Sequence, residues 1–382
     1  MVDFLKQITS SFMSAKNNSV IGIDIGSSFM KVVQLKRKNG KAILETYGEL
    51  ALGPYADAAI GQATQLSPDK ITPILLDLLK EANVTTKNAG VSLPLQSSLL
   101  SLMKMPNVDE KKLAQMIPIE ARKYIPVPVS EVSLDWWVLP KREEQVVDGS
   151  DPTEVKKGEG EEKGPGRNMT DVLVVALLNE TINDYNTIIS SSGLQNAFLE
   201  LEVFSTVRST FGHTSAPVLI FDMGARTTKI AIMEYGIIRA QHIINRGSQN
   251  ITVALSESLG VPIARAEQIK RDVGLVGKGN DADASATAQL IVDHVLTEAQ
   301  TVLLNYERKH NRMIKQIILT GGGVLLKGLY EKADKEFETE VTYADPFSRT
   351  ESPAFLAPVL RDAGPEFAVA IGLALRKLEE TG

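Results

Sequence analysis

The chain carries one short signature twice. Asp24, Gly26 and Lys31 recur 198 residues later as Asp222, Gly224 and Lys229, and the flanks agree: I-D-I-G-S-S at 23–28 against F-D-M-G-A-R at 221–226. In each copy an apolar run ends in the Asp, Gly follows two positions on, and a second run carries the Lys. A single copy is an ordinary hairpin turn; two at one offset point to a duplicated element. Strand clusters followed by helices, twice over, restrict the fold to an α/β protein of two related halves.

The order of apolar runs along the chain agrees with two such halves. Residues 20–24, 29–35 and 42–47 read as strands, with Lys38-Asn39-Gly40 as a hairpin turn. A helix is expected from Ser67-Pro68, where Ser caps and Pro takes the first turn, to about residue 83. Strands follow at 89–93 and 98–105, then a helix at 109–124 and strands at 132–139 and 171–178. A helix at 180–192 and a strand at 198–203, with Glu202 at its end, close this part. The second cluster has strands at 218–222, 227–234 and 237–244, helices at 248–259, 262–273 and 286–311, and a strand at 316–320 before Gly321-Gly322-Gly323. The closing helix is expected at 366–379.

Two stretches stand apart. Phe4, Leu5, Ile8 and Phe12 share one face of an expected amphipathic helix, residues 1–18. It either packs on the body or lies on a membrane surface, the second reading having only Lys6 and Lys16 for positive charge. In 141–168 half of the residues are charged, a quarter are Gly or Pro, and no apolar period survives. That reads as a disordered surface loop within a domain.

Charge and composition exclude several classes. Lys and Arg number 41 against 47 Asp and Glu, a net charge of −6, which argues against a sequence-independent grip on nucleic acid. There is no Cys, hence no disulfide, thiolate metal site or Cys nucleophile, and the four His lack metal-ligand spacing. The longest apolar run, 172–178, is far short of the roughly 20 residues of a spanning helix. No basic segment followed by an apolar one opens the chain, so a cytoplasmic protein is expected.

The repeated hairpin has an intelligible chemistry. Gly lets the chain turn sharply after the Asp, and the turn offers backbone N–H groups with the hydroxyls of Ser27, Ser28, Thr227 and Thr228 to phosphate oxygens. Asp24 and Asp222 would repel bare phosphate but suit a Mg²⁺ held largely through its waters. Gly321-Gly322-Gly323 would let the backbone approach adenine and ribose.

Together these elements resemble the actin-like ATPase superfamily, which also includes sugar kinases and the large heat-shock chaperones. R-K-Y-I-P-V-P at 122–128 and G-P-E-F-A-V-A-I-G-L-A-L-R at 364–376 are similar to signatures of the PilM family of type IV pilus assembly, relatives of the cell-division protein FtsA. The resemblance covers nearly all of residues 19–376. It implies an actin-like ATPase fold with an FtsA-like inserted 1C (SHS2-type) subdomain. Subdomain 1A would comprise 19–87 and 179–214, 1C residues 88–178 including the loop 141–168, and domain 2 (2A and 2B) residues 215–382.

The resemblance also implies function. A cytoplasmic ATP-binding scaffold would sit at the inner-membrane face, receive the N-terminal cytoplasmic tail of the membrane protein PilN, and work beside the pilus motor ATPases and platform protein. Twitching and secretion machines, and oligomeric state, stay open. Asp24, Gly26, Ser27 and Ser28 match the first phosphate turn, and Asp222, Gly224, Thr227 and Thr228 the second. A-R-A-E-Q-I-K at 264–270 resembles the nucleoside-lining helix, giving Glu267 and Lys270, or else a solvated i,i+3 ion pair. G-L-Q-N-A-F-L-E-L-E at 193–202 makes Glu202 a candidate to position the attacking water, or a plain carboxylate where the halves meet. Lys31 and Lys229 would neutralise phosphate charge. ATP with Mg²⁺ is expected, with slow or no hydrolysis. Gly372 matches the small residue where two connecting helices cross. The alternatives are an FtsA-like membrane-associated division protein and a small-molecule kinase, though no further carboxylate is spaced to serve as the kinase base.

Overall fold

The computed structural model describes residues 19–139, 169–212, 214 and 216–380. The expected helix 1–18 and the expected loop 141–168 lie outside the described residues. The chain forms two compact units, one from residues up to Leu95 and from Asp184 onward, the other from Gln96–Asn183.

In the larger unit, strands β1 (Ser19–Ile25), β2 (Phe29–Lys38) and β3 (Lys41–Ala51) form an antiparallel meander. β4 (Asn88–Leu93) then pairs parallel to β1 after the crossover helix α1 (Pro68–Glu81). The smaller unit is inserted here. It holds β5 (Ser98–Pro106), α2 (Glu110–Ala121), β6 (Val132–Val138) and β7 (Met169–Leu178), followed by the start of α3 (Asn179–Ser191). The larger unit resumes with β8 (Gln195–Leu201), parallel to β4, and α4 (Glu202–Thr210). The first sheet has the order β3-β2-β1-β4-β8.

The second half repeats the pattern. Strands β9 (Val218–Met223), β10 (Thr228–Glu234) and β11 (Ile237–Ile244) lead to α5 (Ser248–Leu259), α6 (Ile263–Val273) and α7 (Ala282–His310). Then come β12 (Gln316–Thr320), α8 (Leu329–Phe337), β13 (Glu340–Tyr343), α9 (Ala357–Ala363) and α10 (Ala368–Glu380). The sheet order is β11-β10-β9-β12-β13, the same as in the first half. Register is repeated as well: Asp24 faces Lys31 and Asp222 faces Lys229, while Gly22 faces Val33 and Ile220 faces Ala231.

Period-two alternation assigns the faces. Ile21 and Ile23 of β1 pack with Ile71, Ile74, Leu75 and Leu78 of α1, while Val20, Val33 and Leu35 pack on the other side with Ala370, Ile371 and Ala374 of α10. In the second half Leu219, Phe221, Ile230 and Ile232 pack against α5, α7 and α8, with Phe221 edge-on to Phe337 at 6.4 Å.

Two expected boundaries move. The inserted unit begins at Gln96 and not at 88, because β4 is hydrogen-bonded between β1 and β8. The closing helix, expected with 215–382, completes the core of the first sheet. Gly22 makes room for it, since a Cβ there would overlap the Ala370 carbonyl oxygen. A Cβ on Gly372 would overlap Ser205 O, so α10 and α4 cross backbone to backbone.

In the inserted unit the order β5-β7-β6 is antiparallel throughout. Met103, Met105, Val172 and Val174 pack against Leu113, Ile117 and Ala121 of α2, and the Asp109 carboxylate caps that helix by accepting the Lys112 N–H at 3.0 Å.

Candidate nucleotide cleft

Each Asp–Gly turn closes with the same backbone bond: Gly26 N–H donates to Phe29 O at 3.0 Å, and Gly224 N–H to Thr227 O at 2.9 Å. These turns lie at corresponding ends of the two sheets and flank a cleft of about 360 Å³ within the larger unit, in the size range of small-molecule sites (about 300–1,000 Å³). Asp24, Gly26, Ser27, Ser28 and Lys31 line it from the first half; Glu267, Lys270, Gly322 and Gly323 line it from the second. Asp222, Gly224, Thr227, Thr228, Gly321 and Glu202 do not line it directly.

Asp24 is held by Ser92, whose hydroxyl donates to Oδ1 at 2.8 Å and accepts Ile25 N–H at 3.2 Å. Burial raises the Asp24 pKa, against the opposing charge of Lys31 and the bond from Ser92, with Lys229 opposing more weakly and Asp222 adding to the rise. Asp222 lies against Gly321, where a Cβ would overlap Oδ1, so the glycine turn packs directly on the carboxylate; Gly321 also has φ +83°. The Gly321 N–H and the Thr320 hydroxyl both donate to Pro365 O, each at 2.8 Å, which fixes the turn to the segment before α10.

Two readings sharpen here. Thr228 is fully buried and its hydroxyl donates to Arg246 O at 2.9 Å, so it is engaged in holding the hairpin. Glu202 does not end a strand; β8 stops at Leu201 and Glu202 opens α4. It is buried, its Oε1 accepts Leu95 N–H at 2.7 Å, and its Oε2 accepts Lys229 Nζ at 2.7 Å. Lys229 Nζ also lies 3.3 Å from Asp222 Oδ2. Burial raises the Glu202 pKa and the Lys229 charge works against it; for Lys229, burial is outweighed by Asp222 and Glu202, so the ammonium titrates above its ordinary value.

Glu267 and Lys270 form a buried pair at 2.6 Å, not a solvated one. The Thr252 hydroxyl donates to Glu267 Oε2 at 2.7 Å, Arg271 Nε to Oε1 at 2.8 Å, and Lys270 Nζ to Thr252 Oγ1 at 3.0 Å. For Glu267, burial is outweighed by Lys270 and these bonds, and its pKa lies below the usual value; burial likewise lowers Lys270 against the pull of Glu267.

Sequence reasoning missed the loop that crosses the cleft. Gly61, at φ +87°, brings its backbone against the Glu267 carboxylate, and a Cβ there would sit 2.7 Å from Cδ. Ala63 N–H donates to Gln249 Oε1 at 2.9 Å, Arg226 to Thr64 O at 3.1 Å, and Thr64 N–H to Ser27 O at 2.7 Å. Glu49 and Glu366, 3.9 and 3.8 Å from Lys31 Nζ, were also missed. The signal available was Gly61 itself, a glycine between β3 and α1.

Among the described residues no group of three or more His, Asp or Glu is arranged to hold a metal directly. A hydrated ion would fit better: Asp24 lines the cleft with one oxygen engaged by Ser92, while Asp222, behind the Gly321 turn, would reach a Mg²⁺ through that ion's waters. Such an ion would supply charge neutralisation at bound phosphates.

Matched sheets of one strand order, each carrying the Asp–Gly hairpin, define an actin-like α/β fold of two duplicated halves. The family model for type IV pilus assembly protein PilM matches residues 22–151 and 160–378, and the chain belongs to that family. Among solved structures it is similar to the PilM-PilN type IV pilus biogenesis complex, with a TM-score of 0.75 and 22% identity over 94% of this chain and 98% of that one. The ethanolamine utilization protein EutJ from Carboxydothermus hydrogenoformans follows at TM-score 0.52, 14% identity, and 94% and 89% coverage. These likenesses establish the fold. Cell division protein FtsA of Neisseria meningitidis serogroup B is 25% identical over 228 residues, 53% of each chain. That of Helicobacter pylori (strain ATCC 700392 / 26695) is 25% identical over 231 residues, 53% of this chain and 46% of its own. The chain thus spans about half the length of the curated relatives it matches. Among the described residues no helix is long and apolar enough to cross a membrane.

Proposed function

We propose that the chain is an ATP-binding scaffold of the type IV pilus assembly platform, at the cytoplasmic face of the inner membrane, that docks the N-terminal tail of PilN. The observation that carries the nucleotide half of this reading is the pair of hairpins with identical closing bonds flanking one cleft. In this reading Ser27, Ser28 and the N–H groups of the turns hold phosphates, Asp24 and Asp222 anchor hydrated Mg²⁺, and Gly322 and Gly323 with Glu267 and Lys270 face the nucleoside. The partner half is supported by family membership and by the likeness to a PilM-PilN complex. The unit Gln96–Asn183 corresponds in it to the SHS2-type 1C module, and the rest of the chain to 1A, 2A and 2B. Slow or no hydrolysis is expected in this reading: both oxygens of Glu202 accept hydrogen bonds, from Leu95 and Lys229, so it could orient water only after one of them is released.

Calorimetry on the purified chain tests both halves. MgATP should bind saturably, and Asp222→Ala should weaken it ~10–100-fold, the usual cost of disturbing a metal's anchoring shell. Unchanged affinity in that variant removes the assigned site. A synthetic PilN tail should bind the full chain; no binding with or without MgATP discards the partner and leaves the fold.

A further inference from the structure

Lys229 joins three parts of the larger unit. Its ammonium contacts Asp222 on the adjoining strand of the second sheet and Glu202, the first residue of α4, in the first half. The other oxygen of that same Glu202 carboxylate accepts the N–H of Leu95. Leu95 is the last residue before the inserted unit begins at Gln96. The duplicate lysine, Lys31, has no such reach and lies at the cleft wall, 3.8 and 3.9 Å from its carboxylates.

We infer that Lys229 is a phosphate sensor: it pins Glu202 onto Leu95 when the cleft is empty and releases it when a nucleoside triphosphate with its cation competes for Lys229 and Asp222. The inference rests on the nucleotide reading above. Its physical basis is competition among charges. Lys229 and Asp222 do not line the cleft, but Asp24 does and interacts electrostatically with Lys229, so charge arriving beside Asp24 is felt at the ammonium behind it. A cation at Asp222 displaces one partner of Lys229, and a terminal phosphate offers it a stronger one. Lys229 turning to phosphate leaves Glu202 without its counter-charge, and the bond from Glu202 to Leu95 then loosens. Lys229 is a positioning residue here. The outcome is regulatory: phosphate occupancy alters the bond that holds Leu95.

Hydrogen exchange at the Leu95 amide, read by mass spectrometry or NMR on the full chain, tests this without measuring turnover. In the wild type MgATP should speed Leu95 exchange about tenfold, roughly the loss of one charge-assisted bond, and MgADP should do so less. Lys229→Met should show the fast exchange without nucleotide and no further change with MgATP; Lys229→Arg should restore both protection and response. Should Lys229→Met fail to fold, Glu202→Gln serves instead: its amide oxygen still accepts from Leu95, but without the ion pair the response to MgATP should vanish. Equal Leu95 protection in the wild type and Lys229→Met, or an equal MgATP response in both, overturns the inference. Absence of MgATP binding to the wild type, read separately by calorimetry, sinks the nucleotide reading and this inference with it.

Discussion

The two halves share strand order, register and the bond that closes the Asp–Gly hairpin, yet the faces of their sheets are finished differently. In the first half α10 lies directly on the sheet over Gly22. In the second, the equivalent position is Ile220, a buried side chain. The lysines opposite the two aspartates diverge in the same way, Lys31 toward the cleft and Lys229 inward to Glu202. A duplicated backbone therefore sets where a hairpin and its charges go. What each charge does is set by the non-duplicated elements packed around it.

The largest expected effect exchanges this difference. Gly22→Ile gives β1 the side chain that β9 carries, and its Cβ overlaps the Ala370 backbone of a helix packed on both the sheet and α4. Ordinary overpacking costs about 1–3 kcal/mol, and a backbone obstacle should exceed about 4 kcal/mol or abolish folding. Ile220→Val, the modest change in the other half, should cost about 1 kcal/mol. Urea unfolding checks both. A mild Gly22→Ile would mean that α10 does not seat as described.

A middle-sized effect concerns what ties α10 to the first half. Glu200 is buried and accepts bonds from Ser205 Oγ at 2.5 Å, from Arg208 at 2.7 and 2.8 Å, and from Arg376 of α10 at 2.7 Å. Burial pushes its pKa up, but Arg208, Ser205 and Arg376 outweigh this and hold it below the ordinary 4.5. A depressed carboxyl stabilises above its unfolded pKa, and that contribution is lost as pH falls through 4.5 toward the folded value. Glu200→Gln should therefore destabilise by roughly 3 kcal/mol near neutrality, removing the anion between Arg208 and Arg376 and leaving Arg376 its half-exposed pair with Glu380. The gap from wild type should narrow in acid. A gap independent of pH, in urea midpoints taken at several pH values, would show that the charge of Glu200 is not what holds the helix.

Much of this was legible before any coordinates, and the pattern of success is physical. The hairpins were visible because turn chemistry fixes Asp and Gly at short spacing, and the strands because their alternation is local. Long-range partners were not. Lys229 finds Glu202, which is 27 residues away in sequence and presented by a different half. The Glu267–Lys270 spacing was plain, but the hydrogen bond that Thr252 of α5 gives to Glu267 was not. The seat of α10 had a local mark, a glycine inside the strand at Gly22, but what approaches that glycine comes from the other end of the chain.

The smallest expected effect separates the two lysines. Lys31 is buried and, among the described residues, makes long ion pairs, 3.9 Å to Glu49 and 3.8 Å to Glu366, of which Glu49 is substantially exposed. Both pairs are longer than the 2.7 and 3.3 Å contacts of Lys229, so Lys31→Gln should shift the urea midpoint less than Lys229→Gln, its cost falling mainly on Asp24, whose raised pKa Lys31 opposes. Its place on the cleft wall, directly across from Asp24, makes it a phosphate contact in the nucleotide reading. The same substitution should then weaken MgATP binding by about tenfold, the scale of one charge-assisted hydrogen bond. Lys229→Gln should do the reverse in stability, because it strands Glu202 and Asp222 in a buried site. If the two substitutions instead cost the same in unfolding, the division of labour between the duplicated lysines fails. If Lys31→Gln leaves MgATP binding intact, Lys31 is part of the wall and not of the grip.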